Sequence, residues 1–409
     1  MTEGEIFNVR IEKIVAGGGG IARLAGKSIF TEMTAPGDRI KGRIKKDKKN
    51  WAEGELLEIL EPSPLRSAPL CAHYGVCGGC SLQHLSYDAQ IDAKISILRD
   101  AFLRIGGINP PEIRAHKSPP FEYRNRVRFH SENNGKNSSN PRIGFKERRS
   151  SRIITLEDCP IADSGIRKAL REGKITPPKN KESFSVYSRG NTFLCEGGLE
   201  QGRISILGRE LAMDVKVFFQ ANASMLENLI TDLSGAAVTA DKTKALADIF
   251  CGVGTFASFL CGEFQGNHGL RENLRFPENP GFSEIDLVEE SKAALSLARE
   301  NIPHGKKVNY YARNDIEWVK ESLKKARGRT WGFMVLDPPR GGLSGPLRDF
   351  LCENGSELLA YVSCDPATLA RDSRVLQKGG YTLKELTLYD FYPQTAHIES
   401  LAVFTRGSK

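Results

Sequence analysis

From about Phe218 to the end, the chain alternates short apolar runs with segments of helical periodicity, and that alternation leaves few folds open. Strands are expected at Ala245 to Phe250, Glu284 to Val288, Gly332 to Leu336 and Leu358 to Ser363, with helical patterns between them such as Ser291 to Glu300 and Thr368 to Gln377. Parallel neighbours require crossovers, and crossover helices cover both faces of a sheet. The expected fold class is therefore α/β with a doubly wound, largely parallel sheet, and its ligands belong at the carboxyl ends of the strands. Gly262 to Ser283, rich in Gly, Asn and Pro, reads as a surface insertion with no assigned function.

At 409 residues the chain is too long for one ordinary core. Ile6 to about Leu60 shows short apolar alternations broken by Gly17 to Gly20, by Gly26 and by Pro36-Gly37-Asp38, the pattern of a small β-barrel. Ser86 to Ile105 carries Ile91, Ile95, Leu98, Phe102 and Ile105 at helical spacing, with Gly106-Gly107 as a stop. Tyr123 to His130 alternates strictly, so a strand there puts Arg124, Arg126 and Arg128 on one face and Tyr123, Val127 and Phe129 on the other. Ser131 to Asn140 reads as a turn and Gly173 to Glu182 as a linker. Three domains are expected: 1–62 (barrel), 63–217 (central) and 218–409 (the α/β sheet).

The formal net charge is only +8, but the cations are clustered. Lys41, Arg43, Lys45, Lys46, Lys48 and Lys49 crowd one stretch, and Arg142, Lys146, Arg148, Arg149 and Arg152 another. Such clusters either neutralise nucleic-acid phosphates or form solvated faces. Nine cysteines, an odd number, argue against a disulfide framework and for metal binding or catalysis. No apolar run is long enough for a membrane helix, and Met1 to Ile6 lacks the regions of a signal peptide, so a soluble cytoplasmic protein is expected.

Three segments point to chemistry. Asp248-Ile249-Phe250-Cys251-Gly252-Val253-Gly254-Thr255-Phe256 is a strand followed by a glycine loop, suited to a nucleotide-like cofactor. Glu289, ending the next strand, is placed for ribose hydroxyls, and Asn314-Asp315 for an adenine; the alternative is helix caps in a cofactor-free sheet. Leu336-Asp337-Pro338-Pro339-Arg340-Gly341-Gly342 ends a strand with a carboxylate held by a stiff turn. Cys364, in Ser363-Cys364-Asp365-Pro366, ends another strand where a helix start favours its thiolate, with Asp365 opposing. Thirty-five residues later stands Glu399, which makes a nucleophile and base pair with Cys364. Cys71, Cys77 and Cys80, with Cys159 beyond, can supply four sulfurs to zinc or to an iron–sulfur cluster, and their spacing does not separate the two. Cys195, Cys251, Cys261 and Cys352 read as packing residues, and His397 as a structural histidine.

These residues resemble the S-adenosylmethionine-dependent RNA uracil-5-methyltransferases over nearly the whole chain. The likeness runs through Gly19-Gly20-Ile21-Ala22, Phe30 and Pro36-Gly37-Asp38, which resemble a TRAM domain, an oligonucleotide-binding-type barrel. It continues through the four cysteines, Tyr123-Arg124-Asn125, Phe218-Phe219-Gln220, the glycine loop, the Asp337 turn, the Cys364 segment and Pro393 to Ser400. The resemblance implies a class I methyltransferase sheet, S-adenosylmethionine as cofactor, and a [4Fe–4S] cluster on Cys71, Cys77, Cys80 and Cys159, as in the ribosomal branch. It implies Cys364 as nucleophile, Glu399 as proton-abstracting base, and Gln220, Phe250, Thr255, Glu289, Asn314 and Asp337 as cofactor contacts. Thr255 stands where some members carry asparagine. The helix within about residues 86–120 is implied to pack with the catalytic domain. The implied substrate is a uridine of 23S rRNA, and the implied acting form is a monomer. Transfer RNA is the nearest rival substrate. A cytosine-5 enzyme would place a second cysteine where Pro338-Pro339-Arg340 stands, and a non-catalytic RNA-binding protein is the alternative from another class.

Overall fold

Six short strands open the chain: β1 (Ile6–Arg10), β2 (Lys13–Ile14), β3 (Gly20–Leu24), β4 (Lys27–Thr31), β5 (Arg39–Asp47) and β6 (Trp51–Glu61). In the computed structural model, which describes residues 1–132, 142–262, 281–325 and 329–407, they pair in the order β1-β5-β6-β4-β3-β2. Strict alternation in β5 buries Ile40, Gly42 and Ile44 and turns Lys41, Arg43 and Lys45 outward. The interior is filled by Phe7, which a Cβ on Gly42 or Gly54 would strike.

The central residues build α1 (Tyr87–Ala101), β7 (Ile113–His116), β8 (Arg126–Glu132), β9 (Arg142–Lys146), β10 (Ile153–Thr155), α2 (Ser164–Arg171), β11 (Ser183–Arg189) and β12 (Thr192–Cys195). Ser86 caps α1, its Oγ accepting from Ala89 N–H at 3.4 Å. The helix does not run on to Ile105 as a plain α-helix: Phe102–Gly106 is a π turn ended by Gly107 at φ +64°. That turn shifts the register, so Ile105 is exposed rather than on the buried stripe. Ser131 and Glu132 continue β8 instead of starting a turn, and the rest of that predicted turn lies outside the described residues. Strands β10-β9-β8-β11-β12 form one sheet. Most of the predicted insertion at Gly262 to Ser283 also lies outside the described residues.

A hairpin of β13 (Gln201–Ile206) and β14 (Arg209–Asp214) leads to α3 (Ala223–Ala236), β15 (Ala245–Ile249), α4 (Thr255–Leu260), β16 (Glu284–Val288), α5 (Lys292–Asn301), β17 (Lys307–Tyr311), α6 (Asp315–Lys325) and β18 (Trp331–Leu336). The chain closes with α7 (Gly345–Asn354), β19 (Leu358–Ser363), α8 (Pro366–Lys378), β20 (Tyr381–Tyr389) and β21 (Glu399–Arg406). Their sheet has the order β17-β16-β15-β18-β19-β21-β20-β7. Strands β15 to β19 are parallel, with β15, β18 and β19 buried along their whole length as in sheets covered on both faces, and β21 inserts antiparallel between β19 and β20. Strand β7, far upstream of β15 in the chain, pairs parallel with β20 at the edge, and α1 packs on α8. Residues on both sides of position 217 thus build one sheet.

All nine cysteines are free thiols. No helix among the described residues is long and apolar enough to cross a membrane.

Candidate active site

Strand order reverses between β15 and β18, and an open α/β sheet binds ligands in the crevice above such a reversal. Phe250, Gly252 and Gly254 follow β15 at φ +66°, +54° and +74°, three left-handed residues that turn the chain sharply into α4. Glu289 ties this loop to β16, accepting from Gly252 N–H at 3.1 Å and Ser291 N–H at 2.7 Å. Each oxygen keeps lone-pair capacity for a further donor. Asp248 is wholly buried; one oxygen accepts from Ala257 N–H at 3.0 Å and the other has no partner among the described residues. Gln220, in the loop between β14 and α3, likewise holds a buried Oε1 without a partner. Orphaned buried acceptors of this kind fit a ligand that brings hydrogen-bond donors.

Register places Asp337 beside Phe250, since Leu336 pairs with Ile249, and Asp337 N–H donates to Ile249 O at 3.2 Å. Burial, then the nearby Asp248 and Glu289, push Asp337 up to about 7. Asp248 is also pushed up to about 7, by burial against the opposing Ala257 hydrogen bond and with Glu289 adding. A crevice that concentrates carboxylates is suited to a cation. Phe250, Thr255 and Asn314 are half-buried around it; Thr255 is the first residue of α4. Asn314 caps α6, its Oδ1 accepting from Glu317 N–H at 2.9 Å, which leaves its amide nitrogen for a ligand.

Cys364 and Glu399 meet because β21 runs antiparallel to β19. Ser363 pairs with Ser400, so the next rung sets Cys364 opposite Glu399. Glu399 is buried, and burial reinforced by Asp337 raises its pKa well above the ordinary carboxylate range. Asp365 caps α8, accepting from Thr368 N–H at 2.9 Å with Pro366 in the first turn. The helix start does not make Cys364 a ready thiolate, contrary to the expectation from sequence. Burial first, then Glu399 and Asp337, push its thiol up to about 11, and Arg340 with a backbone hydrogen bond only partly offset them. His397 does not orient Glu399: its ring is exposed, edge-on to Tyr392 at 5.6 Å, with Nδ1 3.4 Å from Arg340.

One feature of this centre was passed over in the sequence. Lys94, fully buried, donates to Asp390 at 2.5 Å and to Tyr392 O at 3.0 Å. Its signal was a lysine on the apolar stripe, three residues after Ile91 and four before Leu98. Arg124, read from the sequence as part of a basic strand face, lies 5.7 Å from the Tyr392 ring centre. The basic face read for that strand is partly consumed by the fold, since Arg126 is half-buried and donates to Val215 O at 3.1 Å.

Cys71, Cys77, Cys80 and Cys159 line one pocket with Tyr74, Gln83 and Phe145. Burial pushes the Cys80 thiol up to about 11 and Cys159 to about 12, with the neighbouring thiols adding. Gly79 N–H donates to Cys77 Sγ at 3.4 Å. Among the described residues no three His, Cys, Asp or Glu side chains gather around a single-ion position. The second basic cluster lies beside this pocket and is largely paired: Arg148 and Arg149 bridge to Glu32 at 3.2 and 2.8 Å, and Arg152 to Glu147 at 2.6 Å.

A reversed parallel sheet, a left-handed loop after its first strand and a carboxylate-lined crevice define a class I S-adenosylmethionine-dependent methyltransferase. The tRNA (Uracil-5-)-methyltransferase family matches residues 321–406 and the TRAM domain matches residues 1–57. An RNA methyltransferase of Treponema denticola is 31% identical, covering 98% of this chain and 99% of its own. A 23S rRNA (uracil(1939)-C(5))-methyltransferase of Legionella pneumophila is 30% identical over 97% of both. The crystal structure of the Pyrococcus abyssi tRNA (uracil-54, C5)-methyltransferase with S-adenosyl-L-homocysteine shares the fold, with a TM-score of 0.69 at 23% identity over 98% of this chain and 100% of that one. The chain belongs to the RNA (uracil-5-)-methyltransferase family.

Proposed function

We propose that the protein methylates carbon 5 of a uridine in 23S rRNA through a covalent adduct between Cys364 and carbon 6 of the base. The observation that carries this reading is the antiparallel rung Ser363–Ser400, one residue before Cys364 and one after Glu399, with Glu399 acting electrostatically on Cys364. Uracil carbon 5 is too weak a nucleophile to take a methyl group unaided. Addition of the Cys364 thiolate, its proton having gone to water, forms the C6–S bond and pushes electron density to carbon 5. The bound cofactor supplies an electrophilic methyl group on a sulfonium, whose positive charge the Asp337 and Asp248 carboxylates favour. Glu399 then takes the carbon 5 proton; the C–H electrons form the C5=C6 bond and the C6–S bond breaks, returning the thiolate. Because stacking hides the base edge, the nucleotide is flipped into the cleft.

Gln220, Phe250, Thr255, Glu289, Asn314 and Asp337 are assigned to the cofactor. The orphaned Gln220 Oε1 supports its place, and Glu289 and Asn314 retain free hydrogen-bonding capacity. Residues 1–62 serve as the RNA-binding barrel, presenting Lys41, Arg43 and Lys45 on one exposed face. Residues 63–217 carry the cysteine pocket and 218–409 the methyltransferase sheet. Cys364, Glu399 and the cofactor loop come from one chain, which makes the monomer the acting unit, and ribosomal RNA as substrate puts it in the cytoplasm.

Cys71, Cys77, Cys80 and Cys159 hold a [4Fe–4S] cluster in this reading. Four cysteines lining one pocket supply the four sulfurs that such a cluster takes. Anaerobically purified protein is expected to be brown with broad absorbance at the blue end of the visible range; a colourless preparation with stoichiometric zinc contradicts the assignment. The substrate is tested by mapping 5-methyluridine in RNA from cells lacking the protein. One 23S rRNA site is expected to lose the modification, whereas loss confined to transfer RNA would favour the rival substrate.

A further inference from the structure

Glu399 is reached from β20 by a segment with little secondary structure, residues 390–398, most of whose hydrogen bonds to the rest of the chain run to its N-terminal half. Ser81 N–H and Leu82 N–H both donate to Gln394 O, at 3.0 and 2.9 Å, and Ala396 N–H donates to Ser81 Oγ at 2.9 Å. Gln90 Oε1 accepts from Gln394 N–H at 2.9 Å while its amide donates to Gln394 Oε1 at 3.0 Å. Tyr123 Oη donates to Pro393 O at 2.9 Å. Gln394 sits at φ +67°, a conformation that a non-glycine residue keeps only when its surroundings enforce it.

The barrel reaches the same point. Gly18, buried at φ +89° in the turn between β2 and β3, packs so closely that a Cβ there would lie 3.0 Å from Ala396 Cβ and 3.1 Å from Ser81 Oγ. Three parts of the chain therefore meet at one spot, three residues before Glu399. They are the turn of the RNA-binding barrel, the residue that follows Cys80, and the approach to the base.

We propose that Ser81, braced by Gly18 of the barrel, is a positioning residue for Glu399: it holds Ala396, and through it the carboxylate, where the carbon 5 proton is removed. Cys80 precedes Ser81, so whatever orders the cysteine loop also orders this strut, and seating of the barrel on RNA bears on the same contact. The inference rests on Glu399 being the base.

A strut that serves only proton removal predicts a specific lesion. Ser81→Ala removes the acceptor for Ala396 N–H, and Gly18→Ala wedges the junction from the other side. With ordinary uridine RNA and S-adenosylmethionine, both variants are expected to turn over about 10- to 100-fold more slowly. They accumulate a denaturation-resistant protein–RNA adduct that already carries the methyl group, and their affinity for S-adenosylmethionine stays as in the parent. Slower turnover without adduct, or unchanged turnover in both, overturns the proposal. Glu399→Gln run alongside separates the two ideas. If it accumulates no methylated adduct, the assignment of the base fails; if it does and the other two variants do not, only the strut fails.

Discussion

Replacing Cys364 with serine is expected to lower methyl transfer by about 10⁴-fold or more, because the reaction as derived has no route that bypasses the sulfur. A serine hydroxyl is nearly isosteric and leaves β19 and the α8 cap in place, so folding and S-adenosylmethionine affinity should be unchanged. The loss would lie in turnover. The thiol already starts at a disadvantage, pushed up to about 11 by burial and by Glu399 and Asp337. It follows that adduct formation should depend on the cationic surroundings: Arg340, the N-terminus of α8, and the sulfonium once bound. Steady-state rates and calorimetric titration of the variant with the cofactor check both halves of the expectation.

The second large effect concerns stability. Lys94→Met leaves the Asp390 carboxylate fully buried with neither of its oxygens paired, since Oδ2 already lacks a partner among the described residues. Breaking a buried pair by removing one member costs about 3–5 kcal/mol. Lys94 also holds Tyr392 O, so the approach to Glu399 loosens along with the helix contact. Denaturant unfolding should show the loss, and replacing both residues by apolar ones of similar volume should recover most of it. Equal stability of Lys94→Met and the parent would mean that Asp390 is protonated in the native protein and the pair is not ionic.

Much of the fold could be read in advance because parallel strands buried on both faces are unusually explicit. β18 and β19 are apolar almost throughout, β15 and β16 are apolar apart from Asp248, Glu284 and Asp286, and the polar or strained residue that follows each, Phe250, Glu289, Asp337 or Cys364, marks the carboxyl edge. Cys364 and Glu399 stand out as a pair in the sequence, but the register that brings them near each other does not. It depends on β21 inserting between β19 and β20, a register set by long-range pairing that local periodicity does not encode. Strand β7 joining the sheet from position 113 is another case, since nothing in four residues announces a partner at Leu386. Charge was over-read for a related physical reason. The runs around Arg126 and Arg148 look like free cation clusters until folding supplies Val215 O, Glu32 and Cys80 O as partners. The sequence sets the helix start against Asp365 at the Cys364 thiol, whereas desolvation, Glu399 and Asp337 dominate it in the fold.

The most direct test of the account is mass spectrometry of the complex formed with substrate RNA containing 5-fluorouridine in the presence of S-adenosylmethionine. Fluorine cannot leave carbon 5 as a proton, so Glu399 has nothing to remove and elimination stops with the sulfur still attached. The account predicts a covalent complex whose cross-linked, methylated nucleotide maps to the peptide containing Cys364. A trapped complex on any other cysteine, or efficient methylation of uridine RNA with no trapping of the fluorinated analogue, would contradict it.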